Sequence, residues 1–139
     1  MTAAYGANFS ANILAGTDKG DGTYLAGRVR LFREIITLAS QPTSNTIVVA
    51  TPRKGFAFMF GAHTTDTSLG SSTVAVGITG STAKYKAAAT FTGTETPTVW
   101  GKAAAMTKLS AAETVFITIA AAALPASGIY VVDTYWAGV

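Results

Sequence analysis

The residues that first invite a chemical reading are Gly77, Gly80 and Lys84, in the stretch GSSTVAVGITGSTAKYKAAATF from Gly70 to Phe91. An apolar run, a glycine turn and an alanine-rich segment carrying lysines are the ingredients of a phosphate-binding strand–loop–helix unit. The spacing does not supply one. A phosphate loop needs G-x-x-x-x-G-K-[ST], so that backbone amides wrap the phosphates and the lysine reaches them. Here Ser81 follows Gly80, and Lys84 comes too late for that cradle. Gly77 and Gly80 give only G-x-x-G, short of a dinucleotide fingerprint. AKYKAAATFTG also lacks an apolar stripe at helical period, because the only apolar residues between Tyr85 and Phe91 are alanines. A helix there would bury little. The stretch therefore reads as strand, turn, strand. Val74, Val76 and Ile78 form one core-facing row, Gly80 and Ser81 the turn, and Lys84 and Lys86 one face of the next strand with Tyr85 opposite.

No other group of residues makes a catalytic or metal-binding pattern. His63, the single histidine, stands in AHTTD beside Asp66 and reads as a solvated loop residue; one histidine is a poor basis for a histidine metal site. The seven carboxylates (Asp18, Asp21, Glu34, Asp66, Glu95, Glu113 and Asp133) are scattered, and no pair at short spacing suggests a glycosidase dyad. DKGDG opens like a calcium loop but lacks the later ligands. With no cysteine, thiolate metal sites, cysteine nucleophiles and disulfides are all excluded. The expectation is a protein that is not an enzyme, with no cofactor and no metal.

The basic residues do group: Arg28, Arg30 and Arg33 in one segment, Arg53 and Lys54 in one turn, Lys84 and Lys86 on one strand. Arginine suits interfacial ion pairs with carboxylates, so docking on an acidic protein surface competes with a few solvated charges. Aromatic and basic residues are not interleaved as a nucleic-acid stacking platform would have them. No apolar run is long enough to cross a bilayer; VFITIAAAALPA is broken by Thr118 and Pro125. Neither nucleic acid nor membrane is expected as a partner. The N-terminus has no basic segment followed by a long apolar run, so no secretory signal is read there. Charged residues are only 12% of the chain, against 49% hydrophobic, much of it alanine. So few charges imply a surface partly covered by neighbours.

The elements that would position these groups are short strands. Runs at 29–38, 46–50, 55–62, 72–79, 83–91, 97–102, 113–121 and 128–136 are separated by turn clusters such as QPTSN and LPASG. Eight runs at near-regular spacing, with no long amphipathic helix, predict an all-β fold: a single antiparallel β-sandwich of jelly-roll type. A shift in alternation near Arg33 and Glu34 suggests a bend or bulge. Phe56, Phe58 and Phe60 share one core face; Trp100, Tyr135 and Trp136 read as core, with a role as interface anchors left open. Residues 1–22, rich in Gly, Asn and Asp, read as an extended N-terminal arm, and 23–139 as the sandwich domain. Tyr5, Phe9, Ile13 and Leu14 would anchor the arm on a neighbour. Together with Arg28, Arg30, Arg53 and Lys54 they are the interface candidates.

The order ITLASQPTSNTIVVA, FAFMFGA, TSLGSSTVAVGITGSTAKYKAAATFT, TPTVWGKAAAM and LSAAETVFITIAAAALPASGIYVVDTYWA resembles small structural proteins encoded in the virion gene clusters of tailed bacteriophages and prophages. The likeness spans about residues 29 to 137. It is most specific in SLGSSTVAVG with the trailing AKYKAAATF, and in ETVFITIAAAALPASG. The resemblance implies a capsid decoration (cement) protein: a β-rich trimer without catalytic residues. Made in the host cytoplasm, it would sit on the capsid surface of the virion, where capsomers meet, with the major capsid protein as partner. A tail or head-fibre module that recognises a host glycan or receptor is the competing expectation. That module would expose an aromatic cluster around Trp100 or Trp136.

Overall fold

The computed structural model describes residues 27–138. The expected arm over 1–22, with Tyr5, Phe9, Ile13 and Leu14, lies outside the described residues. Eight strands follow in order: β1 (Arg28–Thr37), β2 (Thr46–Ala50), β3 (Ala57–Thr65), β4 (Thr73–Ile78), β5 (Ser81–Thr90), β6 (Thr98–Trp100), β7 (Val115–Ala120) and β8 (Ile129–Gly138). Each overlaps one of the eight runs expected from alternation. A single 3-10 turn, Ala103–Ala105, lies between β6 and β7.

The strands form two four-stranded sheets, in the orders β1-β8-β3-β6 and β2-β7-β4-β5. Every pair is antiparallel, and the pairs nest: β4 with β5, β3 with β6, β2 with β7, β1 with β8. The chain is thus a long hairpin, turned at Thr79 and Gly80 and rolled so that its two halves face each other. It is an antiparallel β-sandwich, as its sequence rhythm predicts.

Side chains alternate across each strand, so one row per strand points between the sheets. β7 is the plainest case: Val115, Ile117 and Ile119 are fully buried, while Phe116 and Thr118 lie outward. In β4 the expected row holds, with Val74 and Val76 fully buried and Ile78 packed on the core. The centre is aromatic. Phe58 and Trp136 from one sheet meet Tyr85 from the other, with ring centroids 4.7 to 5.4 Å apart. The Trp136 indole N–H donates to the Thr134 hydroxyl (2.9 Å), so this buried donor is satisfied.

Bulges set which residues join that centre. β3 pairs Phe58 with Trp136 but Phe60 with Tyr135, so Met59 is an extra residue. The extra residue reverses the facing of the residues beyond it. Phe58 points inward and Phe60 outward, where it stacks on Tyr135 with centroids 4.5 Å apart. The single phenylalanine face expected from sequence is therefore divided. By contrast, β1 pairs with β8 without interruption from Arg28 to Thr37, so no bulge exists at Arg33 and Glu34.

β5 departs most from regularity. Val76 pairs with Lys86 and Ile78 with Ser81, five residue steps on β5 against two on β4. The surplus curls over Gly77 and brings Tyr85 into the core. There its hydroxyl donates to the Glu113 carboxylate, which also receives the Lys84 ammonium. Burial and this carboxylate push the Tyr85 phenol well above its ordinary range.

Gly61 is a second point of close approach. Its pairing partner Trp100 lies over it, and a Cβ there would meet the indole ring at 2.2 Å. Gly61→Ala is expected to cost about 2 kcal/mol. Because Trp100 belongs to a short edge strand, combining the change with Trp100→Leu should cost less than the sum. Urea denaturation of the two singles and the double reads this coupling, and strict additivity would refute the contact.

Candidate interaction surfaces

The outer face of the β1-β8-β3-β6 sheet is the first candidate. Antiparallel sheets that meet water on one side normally turn polar residues toward it. Here β1 presents Val29 (58% exposed), Leu31 (48%) and Ile35 (61%). Their partners on β8 are Ala137, Tyr135 and Val131, and Ile129 at the strand's start is 48% exposed. On β3 the row continues through Phe60 and Ala62, and on β6 through Val99, 66% exposed and opposite Ala62. The face is apolar across all four strands.

One ion pair interrupts it. Arg33 and Asp133 are direct cross-strand partners, and the guanidinium donates to both carboxylate oxygens at 2.7 Å. The hydrogen bond to Asp133, and then its charge, raise the Arg33 pKa. This pairing explains the apparent break in the sequence alternation. Arg33 belongs to the outward row of Val29, Leu31 and Ile35, and a charge in an otherwise apolar row mimics a change of facing.

The second candidate is a groove at the β1 edge. Ile36 is buried and Phe32 packs on the core, so the even residues of β1 face the other sheet. Arg28 and Arg30 share that facing, yet both are exposed on this edge strand. Arg30 and Arg53 line one groove of about 680 Å³ with Phe32, Phe56 and Thr51. Arg28 lies two residues before Arg30, and Lys54 beside Arg53 in the turn before β3. None of these four side chains has a hydrogen bond or ion pair among the described residues. The structure thus brings Arg30 and Arg53 together, as two of the interface candidates, and keeps Arg28 and Lys54 at the same end.

The other singled-out residues are used inside the protein. Lys84 pairs with Glu113, and the Lys86 ammonium donates to the carbonyls of Val74 (2.9 Å) and Ala87 (3.2 Å). Burial lowers the Lys86 pKa. His63 is a clear correction. It is not a loop residue: β3 continues to Thr65, and Gly61, His63 and Thr65 form its inward row. His63 is only 3% exposed, stacks on Phe91 with centroids 3.6 Å apart, and shares a 2.8 Å hydrogen bond with the Tyr130 hydroxyl. Burial, and next the charge of Lys86, hold its pKa down at about 4.

Trp136 is fully buried, and Trp100 is half-buried with its indole nitrogen enclosed. Among the described residues no three His, Asp or Glu side chains gather as a metal site would require.

The apolar outer face was missed in the sequence, although its signal is visible there. Val29, Leu31 and Ile35 alternate cleanly once Arg33 is counted in their row.

No family model matches the chain, and no curated protein does. Solved structures share its fold. A chain of the cyanophage Pam1 capsid asymmetric unit superposes with a TM-score of 0.67 at 18% identity, covering 83% of this chain and 88% of that one. A chain of the capsid of Ralstonia phage GP4 gives 0.64 at 18% identity, covering 82% and 86%. A chain of the acidic stable capsid structure of Helicobacter pylori bacteriophage KHP30 gives 0.57 at 9% identity, covering 78% and 86%. At these identities the likeness is one of fold.

Proposed function

We propose that the protein is a structural subunit of a bacteriophage virion, a capsid decoration (cement) protein that binds the outer capsid surface and stabilises the shell through its contacts. The nested strand order, rolled from one hairpin, supports the jelly-roll reading of its fold. The carrying observation is the apolar outer face of the β1-β8-β3-β6 sheet, which no described part of the chain covers. An apolar patch of this extent on a subunit with so few charges calls for a protein neighbour. The shared fold with three chains from phage capsids supports a shell as that neighbour. In this reading the subunit is a homotrimer whose partner is the major capsid protein, and residues 1–22 with their four apolar anchors add to the contact. Many copies, each with modest burial, give firm attachment by avidity.

The host-recognition alternative finds no support at Trp100 or Trp136. The tryptophans such a module would expose lie in the core or against Gly61.

Co-sedimentation with capsids purified without this protein tests the proposal, followed by electron cryo-microscopy of the decorated particles. Added density on the outer shell at three-fold positions is expected. Leu31→Lys combined with Ile35→Lys should abolish binding while leaving the melting temperature nearly unchanged, since both side chains are about half exposed or more. Density at the tail alone, or full binding by the double variant, would refute the proposal.

A further inference from the structure

Among the described residues β1 and β2 are edge strands, one from each sheet, and they border one seam. The groove holding Arg30 and Arg53 continues along β1 into a smaller one of about 200 Å³. The two share Phe32 and Thr51, and the second reaches Glu34 and Val48. The seam therefore runs beside β1 from Val29 to Glu34.

We propose that this seam is a strand-addition site. β1 takes up an extended, carboxylate-bearing segment of a partner protein along its free edge, with Arg30 and Arg53 receiving the carboxylates. That the partner is a shell protein rests on the function proposed above; the chemistry of the groove does not.

Three observations carry the proposal. β1 is ten residues long, unbulged and without proline, so its outer row of N–H and C=O groups can pair with an added strand. The charge is one-sided. Arg30 and Arg53 enter the groove, Arg28 and Lys54 stand at the same end, and among the described residues Glu34 is the one acid lining the seam. Arginine's planar fork fits a carboxylate in two-point contact. Finally, an added strand must share β1's facing. Its residues level with Arg30 and Phe32 turn into the groove, and those level with Val29, Leu31 and Ile35 extend the apolar outer face. The segment that fits has acidic or small residues alternating with apolar ones.

The 139-residue chain can be titrated with a blocked octapeptide of alternating valine and glutamate, with its glutamine and lysine counterparts, and with single-stranded oligothymidine. The glutamate peptide should bind at least about tenfold more tightly than the glutamine peptide, and salt should weaken it. Alternate β1 amides should gain protection from hydrogen exchange. Arg30→Glu with Arg53→Glu should remove the preference; both side chains are exposed and make no hydrogen bond or ion pair among the described residues, so the variant keeps its fold. Equal binding of the glutamate and glutamine peptides, protection away from β1, or tighter binding of oligothymidine would overturn the proposal. Capsid binding without peptide binding would sink the groove alone. Peptide binding without capsid binding would sink the decoration role and leave the groove standing.

Discussion

Gly77→Ala is expected to be the most damaging single-methyl change in the fold. A Cβ at Gly77 would stand 2.1 Å from the carbonyl oxygen of Ser81 and 2.4 Å from the carbonyl carbon of Thr82. Both are backbone atoms on the stretch of β5 that curls over β4, so no side chain can swing aside. Relief requires the hairpin to open, and the surplus residues that deliver Tyr85 to the core would move with it. A loss of about 3 kcal/mol is expected, read as a shift in the urea midpoint at unchanged slope. Gly80→Ala is the control. Gly80 has φ +82° but open space around its Cα, so only left-handed strain is added, about 1 kcal/mol. If Gly77→Ala proved no worse than Gly80→Ala, β5 would not lie over Gly77 as described.

The second large effect is acid sensitivity through His63. Its folded pKa, about 4, lies below the ordinary 6.5. The neutral ring is therefore favoured by folding, and the full contribution is present above pH 6.5. As pH falls from 6.5 to 4 the unfolded chain takes up the proton first, and stability drops along that window. Below 4 this contribution flattens. A shift of this size corresponds to about 3 kcal/mol. The groups near the ring do not relieve the charge: Tyr130 offers only a neutral hydroxyl, and Lys86 is itself cationic. Since other groups also titrate in acid, the measurement is a difference. Urea stability between pH 7.5 and 4 should fall more steeply for the native chain than for His63→Gln, whose amide can still bond Tyr130 but takes no proton. Parallel slopes would show that His63 does not control the acid response.

How much of this was legible in the sequence depends on locality. The eight strands were, because hydrophobic alternation and turn residues are local signals. The failure of the phosphate-loop reading was legible too, since the spacing of Gly77, Gly80 and Lys84 can be checked directly against what phosphates need. What the sequence hid depends on pairing. Phe60 faces outward because Met59 is surplus against β8, and a bulge is a property of two strands. His63 is buried because Tyr130 and Phe91, far along the chain, supply a hydroxyl and a ring; hydroxyl-rich neighbours in AHTTD gave the opposite impression. Arg33 broke the pattern of β1 because its partner Asp133 lies a hundred residues away. Arg30 and Arg53 could be named as basic groups, but only the rolled hairpin puts them in one groove.

The nested pairing also has a kinetic consequence. Ile78 and Ser81 meet across a two-residue turn, whereas Arg33 and Asp133 are separated by 100 positions. Closing the outermost pair directly would carry the largest loop entropy, but each inner pair that forms shortens the effective loop of the next. The economical route runs outward from the Thr79–Gly80 turn, and β1 is laid down last. β1 is also the strand that supplies three of the five most exposed apolar side chains of the outer face, and one wall of the arginine groove. On the function proposed above, a chain still in the act of folding has no complete docking surface to offer, and the fold itself would delay assembly until each subunit is finished.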